Sequence, residues 1–431
     1  MKLFMAMAGL LVAVLVCGPG SRAVAQEGGV RGAGAAESRG QVSNQDPFAP
    51  LQDVIERYRR LALEYNWPPV MRTGSIQPGE RHAVLADIRH RLVILGDLAG
   101  DAVTPDPWLL DDNLRLALER FQRRHGLDVD GIFGRRSRAA LDVEPRQRYR
   151  QLLLNQARQR QFRQQLGAQD TYVLVNIPAF EMRYVEAGQP ALRMRAIVGK
   201  AKARTPLVAS QIDSVELNPD WDVPRGIAYR DILPDLETSP DYLQRNGIEL
   251  VVGHGDSMRS LPQTELDVEH LYHGPRPQQR FWQAPGPDNP LGQLKFNFPN
   301  PYLVYMHGTP SSGLFDEPVR DFSSGCIRIE YPDQLARRLF GLAEPQGVAA
   351  VSRLEREMAS GENRVLSLPR PVAVYTTYWT AWLEDDGQVQ FRDDIYGRDE
   401  QDQADLGVLE RETALSRHAD VPWTSDERRL H

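Results

Sequence analysis

Two residues in the stretch from Tyr305 to Glu330, "YMHGTPSSGLFDEPVRDFSSGCIRIE", carry side chains that together could transfer an acyl group. Cys326 follows the small-residue turn Ser323-Ser324-Gly325, and His307 stands nineteen positions upstream. A thiol attacks carbonyl carbon as the thiolate, and an ordinary thiol holds little thiolate at neutral pH. An imidazole within reach removes that obstacle by taking the proton and later returning it to the leaving amine. Gly325 lets the backbone turn sharply, which makes the amides of Gly325 and Cys326 natural donors to the oxyanion of a tetrahedral intermediate, with Ser324 completing the loop. The imidazole needs a third group to fix its tautomer. No Asp or Asn is unambiguous for that role, and a backbone carbonyl after His307 would serve. Two other readings compete. A zinc site usually needs four ligands, and the chain has no CxxC or HxxxH pair. A buried structural cysteine is the plainer alternative, but the Ser-Ser-Gly context is polar and loop-like. Of the other histidines, only His254, His270 and His273 are placed to approach the same cleft, and the rest read as surface residues.

The only other cysteine, Cys17, lies in an N-terminal segment (1–25) with Lys2, an apolar run from Leu3 to Val16, and an Ala23-Val24-Ala25 ending. That is the plan of a secretory signal peptide with cleavage before Gln26. Val16 is too bulky for a lipoprotein site at Cys17, and the apolar run is too short for a membrane span. The periplasm is therefore the expected location. Cys326 would then be the one thiol of the exported chain, and in an oxidising compartment a lone thiol needs a reason. The formal net charge of −7 argues against nonspecific nucleic-acid binding, which needs concentrated positive charge.

The elements that must position the site divide the chain. Residues 26–46 are Gly-, Ala- and Ser-rich and read as a flexible tether. Residues 47–80 form a helical scaffold, with Leu51, Ile55, Tyr58 and Leu61 on one stripe and Pro68-Pro69 ending it. A unit of three helices is expected over 81–142. Val84, Ile88, Leu92 and Leu95 mark the first, Asp112 or Asn113 caps the second, and an Asp130-Gly131 turn precedes the third. Residues 143–169 are Arg- and Gln-rich without acid beyond Glu144, and predict a linker helix with a solvated basic face rather than a site for anionic wall polymer. From 170 to 397 the period becomes alternating. Strands are expected in "TYVLVNIPAF", around Ala187-Gly188, in "YLVYMHG", and in a hairpin from Val372 that turns at Asp386-Gly387. An insert over about 225–285 interrupts them and predicts a cap over the sheet. A helix starts at Pro332, and the tail 398–431 is charged and loosely held.

Two segments resemble known families. "RHRLVILGDL" followed by "ALERFQRRHGLDVDGIFGRRSRAAL" is similar to the peptidoglycan-binding domain type 1. His307-Gly308-Thr309, fifteen intervening residues, and then Ser323-Ser324-Gly325-Cys326-Ile327-Arg328 resemble the active-site motif of the YkuD family of L,D-transpeptidases. "NPDWDVPRGIAYRDILPDL", "FWQAPGPDNPLGQLKFNFPN" and "DDIYG" extend the likeness to its large periplasmic Gram-negative members. Many members of the wider family have His where this chain has Ser324; the large subgroup carries Ser there. The resemblance implies an α+β multidomain chain: a small three-helix peptidoglycan-binding domain and a mainly-β catalytic domain with an inserted capping subdomain. It further implies that Cys326 is the nucleophile and His307 the proton donor and acceptor. Cys326 would attack the third-residue carbonyl of a tetrapeptide stem, release D-alanine and pass the acyl group to an amine of another stem. Tyr305, Arg328 and Trp221 would bind substrate, carbapenems would acylate the thiol, and neither cofactor nor metal is required. Expected partners are stem peptides and glycan, with other wall-building enzymes. An L,D-carboxypeptidase and a non-catalytic wall-binding scaffold remain alternatives.

Overall fold

The computed structural model describes residues 49–100, 104–273, 278–342 and 346–405. The expected signal peptide, the tether and the tail beyond Asp405 lie outside the described residues. Helix α1 (Ala49–Glu64) buries the predicted Leu51, Ile55, Tyr58 and Leu61 stripe. Helices α2 (Leu85–Leu95), α3 (Asp112–Arg124) and α4 (Arg135–Asp142) follow, and short bridges Ile76↔Phe133 and Arg81↔Leu109 stitch their loops. Gly96 ends α2 in the left-handed region at φ 82°, as its position after the apolar stripe requires. The cap of α3 differs from expectation. Asp111, one residue earlier than the two candidates, accepts the Leu114 N–H at 2.9 Å, which draws Asp112 into the first turn.

Helix α5 (Pro145–Leu166) corrects the reading of a solvated basic linker. It buries Tyr149, Leu152, Leu153, Leu154 and Phe162, together with Arg148, Asn155, Gln156 and Arg158. Its arginines find acids far away in sequence: Arg158 pairs with Asp399 and Asp402, both at 2.7 Å. Those acids belong to α11 (Asp399–Asp405), so the first part of the charged tail is an ordered helix docked on α5.

The mainly-β region is a closed barrel in the order β1-β12-β4-β9-β10-β11-β3-β2. Its strands are β1 (Tyr172–Asn176), β2 (Glu181–Glu186), β3 (Gln189–Ile197), β4 (Ala209–Leu217), β9 (Leu294–Asn297), β10 (Met306–His307), β11 (Ile327–Ile329) and β12 (Arg364–Thr377). Closure leaves no exposed sheet edge. Inward residues such as Val173, Tyr184, Ile212, Phe296, Met306 and Ile327 form one core, which α9 (Pro332–Gly341) and α10 (Gly347–Ala359) extend. Two predicted strands come out differently. Of "YLVYM" only Met306 pairs in the sheet, because Asn300 gathers the Tyr302 and Val304 amides into a loop. The segment from Val372 is a barrel strand through Thr377, and the hairpin at Gly387 is the separate pair β13 (Ala381–Leu383) and β14 (Val389–Phe391).

The insert is a subdomain with its own core and a sheet ordered β5-β8-β6-β7: β5 (Trp221–Asp222), β6 (Ile248–Val252), β7 (Arg259–Leu261) and β8 (Arg280–Gln283). Short helices α6 (Arg225–Ile227), α7 (Leu233–Thr238) and α8 (Tyr242–Arg245) pack beside it. It begins at Trp221 rather than Arg225, because Trp221 and Asp222 pair with Gln283 and Trp282.

Candidate active site

Strand register alone gathers the predicted residues. Met306 lies opposite Ile327 and His307 opposite Arg328, and the Ile327 N–H donates to the Tyr305 carbonyl at 3.1 Å. Side chains alternate across a strand. With Met306 and Ile327 fully buried in the barrel, Tyr305, His307, Cys326 and Arg328 share the opposite face. That face looks into a cavity of about 740 Å³ whose far wall comes from the insert, including Trp221, Arg230, His254 and Tyr272. Trp221 is half-buried against the insert core and also lines the cavity. Among the nearby histidines only His254 lines this cavity; His270 bonds Asp267 and His273 packs on Tyr229. His125, read as a surface residue, is buried.

The group behind His307 is a main-chain oxygen. Its Nδ1 donates to the carbonyl of Gly308 at 2.6 Å, which leaves Nε2 as the acceptor. The Leu291 carbonyl supports the same ring. Buried Asn289 sets that neighbour: it accepts the Leu291 N–H at 2.9 Å and donates to the Pro219 and Ala284 carbonyls. Gly292 beside it has no room for a Cβ, which would stand 2.8 Å from the Thr309 nitrogen. The "PGPDNPLG" run thus shapes the floor beneath His307.

The cysteine loop is held by a second set of bonds. Gly325 sits at φ 119°, a conformation open to glycine and costly for other residues. Its carbonyl accepts from Thr205 Oγ1 at 2.9 Å, and Tyr396 accepts the Thr205 N–H while donating to Gly199. Tyr396 is the tyrosine of "DDIYG", so that motif props the loop from behind. One expectation needs correction. Of the two amides expected to face an oxyanion, that of Gly325 is not free, because its N–H donates to Ser323 Oγ at 3.1 Å.

Burial dominates the electrostatics. It pushes the His307 imidazole down to about 3, with the Arg328 charge adding to the effect. Burial also raises the Cys326 thiol, against the Tyr305 hydrogen bonds and the Lys295 and Arg328 charges. The resting pair is therefore neutral thiol and neutral imidazole, not an ion pair. Iodoacetamide should alkylate Cys326 slowly at pH 7, with a rate that rises through a midpoint above that of an ordinary thiol. A midpoint below it would mean a preformed thiolate. Burial lowers the Arg328 guanidinium as well, and its Nε finds no hydrogen-bond partner among the described residues. Sequence reasoning missed Lys295, which pairs with Glu216 at 2.8 Å and sits 4.8 Å over the Tyr305 ring. It also missed Arg230, whose Nη2 donates to Ser324 Oγ at 2.6 Å and ties the insert to the cysteine loop. Lys295 lies on an alternating strand, a weak signal; Arg230 had none.

A capped barrel presenting a cysteine and a histidine on one strand pair is a fold-and-site class that comparison with known proteins resolves further. Residues 170–346 match the family model of the YkuD L,D-transpeptidase catalytic domain, and residues 81–141 match that of the type 1 peptidoglycan-binding domain. The chain is 32% identical over 231 residues to a curated Haemophilus influenzae protein named "Putative L,D-transpeptidase"; the match covers 53% of this chain and 45% of that one. It thus spans less than half the length of that relative. Among solved structures, an L,D-transpeptidase from Stackebrandtia nassauensis has 14% identity and a TM-score of 0.24, covering 72% of this chain and 97% of that one. The L,D-transpeptidase of Xylanimonas cellulosilytica has 14% identity and a TM-score of 0.22, with 72% and 100% covered.

Proposed function

We propose that this chain is a periplasmic peptidoglycan L,D-transpeptidase in which Cys326 is the nucleophile and His307 the general base and acid. The observation that carries the proposal is the placement of Tyr305, His307, Cys326 and Arg328 on one strand-pair face, with His307 Nδ1 spent on Gly308 and Nε2 left to accept a proton. As Cys326 Sγ bonds to the third-residue carbonyl carbon of a tetrapeptide stem, its proton passes to His307 Nε2. The Cys326 amide receives the oxyanion. Collapse breaks the amide bond, and His307 returns the proton to the departing D-alanine nitrogen. A stem amine then attacks the thioester, His307 takes its proton, and the thiol is restored. Arg328, with its unpaired Nε, is suited to a stem carboxylate.

Intact mass after exposure to a carbapenem tests the nucleophile. One adduct per chain, lost in Cys326→Ala, is expected; no adduct returns the chain to the scaffold reading. Muropeptide analysis on purified tetrapeptide separates cross-linking from D-alanine release alone.

The insert supports transfer over hydrolysis, since a cap that excludes water favours the amine. Arg230 is its contact with the cysteine loop. Arg230→Ala should raise the ratio of hydrolysed tripeptide to cross-linked dimer roughly threefold to tenfold, the net worth of one solvent-exposed hydrogen bond. An unchanged ratio would remove Arg230 from the closure.

A further inference from the structure

Helix α5 and strands β4 and β12 leave a trough on the barrel's flank that the thiol chemistry does not use. It consists of three abutting hollows of about 380, 490 and 170 Å³. Gln165 and Ala209 line both the first and the second, while Gln169, Gln211 and Ala373 line both the second and the third, so the three form one run. The glutamines that sequence reading assigned to a solvated face form one wall. Gln161 and Gln165 stand one helical turn apart on α5 and Gln169 lies just past its end, all three exposed. The opposite wall offers Gln211, beside Ser210 whose hydroxyl donates to the Pro299 carbonyl at 2.6 Å.

This lining selects a ligand class. A primary amide presents two donors and two acceptors, which suits hydroxyl and acetamido groups rather than a full charge. Half-buried Trp379 supplies an aromatic surface at one end, propped edge-on by Phe162 at 5.3 Å, for the apolar face of a ring. Arg158, Arg398 and Arg370 line the run together with Asp402, Asp213 and Asp170, so its formal charges balance and favour neither a polyanion nor a polycation. Arg398 is stacked 5.6 Å over Tyr378, and its buried Nε has no acceptor among the described residues. A buried donor without a partner is costly, and a carbonyl or hydroxyl oxygen of a ligand would satisfy it.

We infer that this trough binds a neutral, acetamido-bearing polysaccharide chain at a site separate from the catalytic cavity. Strand β4 joins the two places: Ser210 lines the trough and Glu216 the cavity, about 20 Å apart at strand rise. The binding itself does not rest on the transpeptidase reading.

The test is calorimetric titration of the full chain with the hexamer of N-acetylglucosamine. Binding is expected, and Gln161→Ala/Gln165→Ala should weaken it by about tenfold, the combined worth of two net hydrogen bonds. Both residues are exposed, so an unchanged Tm shows that the variant is folded. A Trp379→Ala variant should weaken binding further. No heat with the hexamer, or a titration that the glutamine variants leave unaltered, overturns the proposal, since anything bound would then sit elsewhere. Cross-linking of soluble tetrapeptide, which lacks glycan, should not change in the glutamine variants. Absence of that activity in the unmutated chain would count against the transpeptidase reading and leave the trough standing.

Discussion

Replacing His307 with Gln should slow acylation of Cys326 by roughly 10²- to 10⁴-fold, the usual worth of a positioned acid–base group. The side chain is buried and flanked by the Gly308 and Leu291 carbonyls, so a neutral amide can keep one bond while losing the proton acceptor. The pH profile gives the sharper check. A base pushed down to about 3 stays unprotonated far below the ordinary imidazole range, so acylation should hold its rate from pH 7 down to at least pH 5. An acid limb centred near 6.5 would contradict the buried, Arg328-flanked imidazole. Arg328→Met removes the neighbouring cation, which favours the protonated ring and should move that limb upward. It stays below 6.5, because burial is the larger cause. Single-turnover acylation by a chromogenic carbapenem, followed across pH 3.5–8 in all three proteins, reads each effect.

How far the sequence exposes this site depends on the reach of each interaction. Cys326, His307 and the Gly325 turn are legible because their chemistry is local and their residue types are uncommon. The Gly308 carbonyl behind His307 leaves no mark in side-chain identity, since every residue has a carbonyl; only the absence of an acidic candidate pointed to it. The Gly325 amide was misjudged because its acceptor, Ser323 Oγ, depends on how the turn closes. Helix α5 was misread for a longer-range reason. It has no acid of its own, and composition cannot reveal that Asp399 and Asp402 cross more than two hundred residues to neutralise Arg158. In the barrel, β10 pairs over only two residues, too short for any period, yet it fixes the geometry of the whole site.

The second large effect concerns how the helical region is held on the barrel. Phe391→Ala should cost about 3–5 kcal/mol, the usual range for a fully buried phenylalanine. Phe391 is fully buried on strand β14, yet its neighbours are helical: Tyr58 edge-on at 5.5 Å, His125 stacked at 5.5 Å and Arg148 with its guanidinium 4.7 Å over the ring. Ala381 and Val389 of the same hairpin join that core, and Arg392 donates to the Arg124 carbonyl. The hairpin therefore belongs to the barrel by chain and to the helical region by packing. It holds the helical region against the barrel. Removing the ring should uncouple the two, so that one calorimetric transition becomes two, with the helical region melting on the order of 10 °C earlier. The barrel keeps its own core, so carbapenem acylation of Cys326 should persist between the transitions. Two outcomes would argue against the clamp. One is a single transition shifted as a whole, which would make the hairpin an ordinary part of one cooperative core; the other is a loss below about 1 kcal/mol, too small for a buried ring that holds two units together.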